Sequence, residues 1–181
     1  LYFKIDRKKK ILATTLLLAL GFTKPEIVNE FYKSENYSFD QKTKKWKTKF
    51  DPENYRTKNY SEEILDAKTE KVVIKLGEKI NYLNAKKLAN EGLSEILLSN
   101  DSLYGKFLHE DVKINNEEDG VLKIGTELNE VILSKILEAN INKLKISVTN
   151  PINKGPYLLT TLFNDKNNTK DEAITEIYKM L

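Results

Sequence analysis

The stretch Phe3 to Gly21, FKIDRKKKILATTLLLALG, constrains this chain more than any other. Four consecutive cations, Arg7 to Lys10, run directly into the longest apolar run, Ile11 to Leu20. The residues before Ile11 favour wet, anionic surroundings, whereas those from Ile11 onward require burial. One segment thus anchors a core and presents a basic rim. Helical residues from about Thr14 fill it, and Gly21 supplies the left-handed position that ends the helix.

A basic start before an apolar run is also the outline of a secretory signal. The apolar part, Ile11 to Phe22, is shorter than the roughly 20 residues a spanning helix needs. No small-x-small cleavage site follows before Lys24-Pro25-Glu26. A buried helix with a basic start is therefore the expectation, with no membrane span.

Composition adds bounds. With 181 residues, 40% hydrophobic and 31% charged, the chain suits one ordinary soluble domain or a small core carrying an insert. Thirty basic against 27 acidic residues leave a net charge of +3. That is too even to argue nucleic-acid binding from the total, so only local clusters count. The absence of cysteine excludes disulfides, thiolate catalysis and Cys-based zinc sites, and suits a reducing cytoplasm. The chain lacks an initiator methionine and starts mid-pattern at Leu1, so it reads as a fragment of a longer protein.

Beyond Gly21, Thr23 and Glu26 form a capping box, with Pro25 in the first turn of a short second helix to about Tyr32. The two helices make a corner. Its Ala19-Leu20-Gly21-Phe22-Thr23 turn has the outline of a helix-turn-helix, but the second helix would offer Glu26 and Glu30 to the groove. A packed corner is the better account. From Asn36 to Tyr60, Tyr37, Phe39, Trp46, Thr48 and Phe50 alternate with polar residues, which predicts a β-hairpin. Its lysines around Trp46 suit a single-strand nucleic-acid platform. A two-faced strand with lysines toward solvent explains them more simply.

Residues 73–98, VIKLGEKINYLNAKKLANEGLSEILL, align without a gap onto 121–146, VLKIGTELNEVILSKILEANINKLKI. Val73/Val121, Gly77/Gly125, Asn81/Asn129 and Lys87/Lys135 are identical, and Gly92/Asn140 pair the two residues that best tolerate the left-handed conformation. Each copy reads as strand, glycine turn, Asn-capped helix, left-handed stop and strand. After two turns at Asn150-Pro151 and Lys154-Gly155-Pro156, a short helix is expected over Tyr157 to Phe163. Thr169 and Glu172 then cap a last helix whose apolar stripe is Ile174, Ile177, Tyr178 and Leu181. The fold expected is α+β: a small helical core at 1–35 and 150–181, interrupted at 36–149. That interruption comprises a hairpin (36–60) and two repeats (64–108 and 112–149).

No catalytic constellation is legible. His109, the single histidine, lies between the repeats and is expected in a solvated linker. The acidic run Asn115 to Asp119 lacks the alternating ligands of a calcium loop, and Gly120 is expected to close a turn before Val121. No phosphate loop, nucleophile elbow or HExxH motif occurs. Catalytic residues, metal ligands and cofactors are all expected to be absent.

Lys4-Ile5-Asp6-Arg7-Lys8-Lys9-Lys10-Ile11-Leu12-Ala13-Thr14-Thr15-Leu16-Leu17-Leu18-Ala19-Leu20-Gly21 closely resembles a segment in the lobe of the bacterial DNA-directed RNA polymerase β subunit. Gly155-Pro156-Tyr157, Thr161-Leu162 and Glu176-Ile177-Tyr178-Lys179-Met180 resemble a later stretch of the same subunit, in the same order. The repeated middle resembles its lineage-specific lobe insertion, most of all the alphaproteobacterial type. Leu12 departs from the proline common in the family.

The resemblance implies a non-catalytic piece of a nucleotidyltransferase, active in transcription only as part of the whole enzyme. The family's catalytic magnesium is held by the β′ subunit. Partners would be the rest of β, β′ and DNA; the insert's partner is unknown, and the location would be cytoplasmic. The resemblance makes Asp6 part of a pocket for an unpaired guanine of the non-template strand. Arg7, Lys8, Lys9 and Lys10 are then candidate DNA contacts. The alternative is a free-standing interaction or signal-bearing protein without enzymatic activity.

Overall fold

The computed structural model describes residues 1–55, 63–115, 120–150 and 154–181, together with the backbone of 58–59. Strands β1 (Tyr2–Lys4) and β2 (Lys10–Leu12) precede helices α1 (Ala13–Ala19) and α2 (Lys24–Phe31). Strands β3 (Ser34–Asp40), β4 (Lys45–Lys49), β5 (Lys58–Asn59), β6 (Ile64–Asp66), β7 (Val72–Ile74) and β8 (Lys79–Ile80) follow. Helix α3 (Tyr82–Asn90) leads to β9 (Glu95–Leu98), β10 (Phe107–Leu108), β11 (Val112–Lys113) and β12 (Val121–Leu122). Helix α4 (Glu130–Glu138), β13 (Lys143–Ser147), α5 (Tyr157–Asn164) and α6 (Lys170–Met180) complete the order. The class is α+β, as expected. Residues cluster into two compact units: Leu1–Ser34 with Lys106–Glu127 and Ile146–Leu181, and Glu35–Gly105 with Leu128–Lys145.

In the first unit the basic segment is not the start of a helix but an antiparallel hairpin, with Tyr2 opposite Leu12 and Lys4 opposite Lys10. Helix α1 has no side-chain cap at its start. It ends as Gly21 predicts: φ is +106°, and the amides of Gly21 and Phe22 reach back to the carbonyls of Leu18 and Leu17. Thr23 and Glu26 then form the expected capping box of α2. The core joins Leu18, Ile27, Val28 and Tyr32 to Phe107, Ile124, Leu158, Leu159, Leu162 and Ala173. Helix α1 packs against both α5 and α6.

Two burial expectations fail here. Leu20, counted in the buried run, is 66% exposed, because α1 stops one residue earlier and the corner turns it outward. Helix α6 carries its predicted capping box but buries Ala173 rather than the apolar stripe. Ile174, Tyr178 and Leu181 are exposed, since α1 packs on the neighbouring face through a small residue that permits close approach.

The second unit is built on six neighbouring strands of a seven-stranded sheet, in the order β13-β3-β4-β9-β6-β7. The expected hairpin is its centre, with Tyr37 opposite Thr48 and Phe39 opposite Trp46. Trp46 is fully buried and its Nε1 donates to Asn100 Oδ1 at 3.0 Å, so it is no stacking platform. The last strands of the two repeats, β9 and β13, flank this hairpin.

The duplication holds in local structure. Asn81 accepts from the Asn84 amide and Asn129 from the Ile132 amide, each capping its helix. Gly92 (φ +105°) and Asn140 (φ +57°) both end their helices in the left-handed region. Hairpin β6–β7 pairs Ile64 with Ile74, and β11–β12 pairs Val112 with Leu122 in the matching register. The copies differ in their last strand's neighbour, which is β6 for β9 but β10 for β13. Positions 116–119 of the acidic run, and Pro151, lie outside the described residues.

Candidate nucleic-acid interface

Asp6 and the cations Arg7 to Lys9 occupy the tip of the β1–β2 hairpin, with Lys10 at the start of β2. Backbone bonds from Ile5 and Asp6 to the Lys9 carbonyl and from Lys9 to the Asp6 carbonyl close the tip. A two-stranded hairpin with polar tips cannot bury them, so Asp6 to Lys10 are all exposed. Asp6 Oδ1 accepts from the Arg7 amide at 2.5 Å, which ties the carboxylate to its own turn. Lys9 Nζ donates to the Leu181 carbonyl at 3.0 Å, and Lys10 Nζ stands 4.5 Å from the centre of the Tyr2 ring. Arg7 and Lys8 are the two cations of the tip without such an intrachain partner among the described residues. The predicted site residues are thus brought together on one accessible turn.

Behind the hairpin lies a buried polar node that sequence reasoning missed. Asp165, 3% exposed, accepts at Oδ2 from Thr14 Oγ1 (2.5 Å) and Thr15 Oγ1 (3.0 Å). Its Oδ1 accepts from the Asn167 amide and from Asn167 Nδ2, each at 3.0 Å. Asn167 Nδ2 also donates to Glu176 Oε2, and Lys24 Nζ donates to the Asp165 carbonyl at 3.0 Å. Burial lowers the Lys24 ammonium pKa, an effect that the charge of Asp165 opposes. The node therefore holds the first turn of α1, and so the base of the hairpin, against the loop after α5. The only sequence signal was a polar loop, Asn164 to Lys170, in which no single residue stood out.

His109 contradicts its expected place in a solvated linker. It is 3% exposed, with Nδ1 2.9 Å from Ser147 Oγ and Nε2 2.9 Å from Asn29 Oδ1. The cause is pairing: Phe107 and Leu108 form β10 against Ser147 and Ile146, which carries the next residue inward. Serine, histidine and an amide suggest a hydrolytic triad, but Ser147 is itself buried and approaches Nδ1. The arrangement joins α2, the residue after β10 and β13, and a reactive serine needs an accessible hydroxyl.

The Gly155-Pro156-Tyr157 motif is structural on the same evidence. Tyr32 Oη donates to the Gly155 carbonyl at 2.9 Å, and burial raises the Tyr32 pKa. A Cβ on Gly155 would meet Tyr157 Cε2 at 2.5 Å, so a larger residue there requires the exposed Tyr157 ring to swing aside. Among the described residues, no group of three or more His, Cys, Asp or Glu side chains could hold a metal ion. No helix among them is long and apolar enough to cross a membrane.

No family model matches the chain. All 181 residues, however, align with the DNA-directed RNA polymerase subunit beta of Rickettsia felis at 38% identity. The same subunit of Rickettsia rickettsii strain Sheila Smith and of Rickettsia akari strain Hartford matches over the full chain at 37% each. The chain spans 13% of the length of these relatives. A free-standing, signal-bearing protein is not favoured by a match of this extent. Along its whole length the chain is similar to one segment of the bacterial RNA polymerase β subunit, the family to which its two end motifs had pointed.

Proposed function

We propose that this chain serves transcription as a non-catalytic part of a DNA-directed RNA polymerase β subunit, forming a wall of the channel for downstream DNA. The observation that carries this reading is the similarity of all 181 residues to one segment of the β subunit, together with an exposed turn at which one carboxylate adjoins four cations. In this proposal 1–35 and 150–181 belong to the lobe and 36–149 to a surface insertion. The rest of β, β′ and DNA are the partners, and nucleotidyl transfer belongs to the assembled enzyme.

Arg7 and Lys8 are suited to phosphate, which positions nucleic acid without reading it. Asp6 is an acceptor when ionised, so it takes hydrogen bonds from the Watson–Crick edge of an unpaired guanine and repels phosphate. Its local bond to the Arg7 amide orients the carboxylate for this role.

The test is made in the assembled polymerase. Asp6→Asn keeps an oxygen for the turn but adds donors, so the preference for guanine at one non-template position is expected to weaken while general DNA affinity holds. Arg7→Ala with Lys8→Ala is expected to weaken all sequences alike and to reduce the salt slope by about one per cation lost. Sequence-specific, salt-resistant duplex binding by the isolated chain would sink the proposal and restore the helix-turn-helix reading.

A further inference from the structure

The duplication places the same turn in two different environments. Lys75–Glu78 and Lys123–Thr126 are each closed by an amide-to-carbonyl bond of 3.0 Å, with Gly77 at φ +74° and Gly125 at φ +82°. In the second copy the turn is seated on a helix. Ile124 is 3% exposed within the core that contains Leu158, Leu159 and Leu162 of α5. A Cβ on Gly125 would lie 2.7 Å from the Leu159 carbonyl oxygen and 3.4 Å from Phe163 Cβ. In the first copy no described residue lies within 4 Å of the corresponding point on Gly77, and Leu76 is 66% exposed.

The bare copy keeps the features that seat its twin: an apolar residue at the tip, followed by a glycine that lets a backbone approach. Its charge differs. Lys79 and Lys86 stand where the seated copy has Glu127 and Ser134. Glu78, whose carboxylate accepts from the Lys75 amide, stands where it has Thr126. Lys71, Lys75, Lys79 and Lys86, all exposed, leave this surface cationic on balance. Leu83, in the first turn of α3, is 73% exposed.

We infer that the turn Lys75–Lys79 docks an acidic, leucine-faced α-helix lying outside these 181 residues. Leu76 enters the apolar face of that helix as Ile124 meets α5. Gly77 admits its backbone, and Lys75 and Lys79 pair with carboxylates along its edge. This role is independent of the DNA-facing hairpin and stands or falls separately from it.

The test is a titration of the whole isotope-labelled chain, read by amide chemical shifts. The probe is a synthetic helix with leucines at i, i+3, i+4 and i+7, an alanine between them and flanking glutamates. Shifts are expected at Lys75 to Lys79 and the start of α3, with affinity falling as salt rises. Leu76→Glu, at an exposed position, is expected to cost roughly tenfold or more in affinity while the remaining spectrum is unchanged. A lysine-flanked probe that binds as well, binding that survives Leu76→Glu, or shifts confined elsewhere would overturn the assignment. Self-association of the chain that Leu76→Glu abolishes would make the occupant a second copy, and would overturn it too.

Discussion

Thr14 donates its hydroxyl to the buried carboxylate of Asp165 at 2.5 Å, across 151 positions of sequence. A buried carboxylate is tolerated only where its lone pairs are satisfied, and Asp165 accepts four hydrogen bonds. The threonine pair of the opening motif is therefore matched to one aspartate in the loop that follows α5.

Removing that acceptor should be costly. Asp165→Ala leaves the Thr14 and Thr15 hydroxyls and the Asn167 amide to find other partners, an expected loss of about 2–4 kcal/mol. Asp165→Asn, which keeps one acceptor oxygen, should fall between it and the parent. Hydrogen exchange at α1 and α5 amides, compared with urea unfolding, measures the difference. Unchanged protection in Asp165→Ala would contradict the role given to the node.

The two glycine turns of the repeat should respond unequally to a methyl group. Gly77→Ala is strained by its positive φ alone, an expected cost of about 1 kcal/mol. Gly125→Ala adds overlap with the Leu159 carbonyl, raising the expected cost to about 2–4 kcal/mol. Denaturant midpoints of the two variants check the order, and equal midpoints would show that the seated turn yields freely.

Two hairpin turns share one design. Asp40 accepts from the Lys42 amide and Thr43 Oγ1, as Asp66 does from the Lys68 amide and Thr69 Oγ1. Each turn then passes through a non-glycine residue in the left-handed region, Lys44 at φ +53° and Glu70 at φ +56°. Glycine relieves that strain, so Lys44→Gly and Glu70→Gly should each stabilise by about 0.5–1 kcal/mol, net of glycine's greater unfolded entropy. Thermal midpoints that fall in both variants would refute this.

The same aspartates predict acid sensitivity. Backbone amides, that of Lys42 for Asp40 and that of Lys68 for Asp66, hold both carboxyls below the usual carboxylate range. As pH falls the unfolded chain therefore takes up these protons first. Their stabilising contribution is complete above about pH 4 and is lost as pH drops through the lowered folded values. Asp40→Asn with Asp66→Asn should flatten the acid limb of the stability profile, measured by urea midpoints across that range. A limb of unchanged slope would assign acid lability to other groups.

Local chemistry was legible wherever a signal lay within a few residues. The stop at Gly21, the capping boxes at Thr23 and Thr169, the Asn81 and Asn129 caps and the left-handed stops at Gly92 and Asn140 all depend on short-range geometry. Alternation likewise identified the β3–β4 hairpin and put Trp46 on its inner face. Exposure of Asp6 to Lys10 followed from their charge, whereas the hairpin that presents them did not: Ile11 and Leu12 carry an apolar pattern that strand and helix share.

By itself the sequence determined the α+β class, the caps and turns, the duplicated pattern and the likeness to the β subunit, because each is written in neighbouring residues or in their order. Only the tertiary structure decided which apolar face of α6 meets α1, that His109 is buried between Ser147 and Asn29, and that Asp165 gathers Thr14 and Thr15. Those outcomes depend on partners remote in the chain, and pairwise burial leaves no periodic trace. The contrast between Leu76 and Ile124 makes the same point most directly. Two turns of one design differ in fate because one finds a helix to lie on and the other, among the described residues, does not.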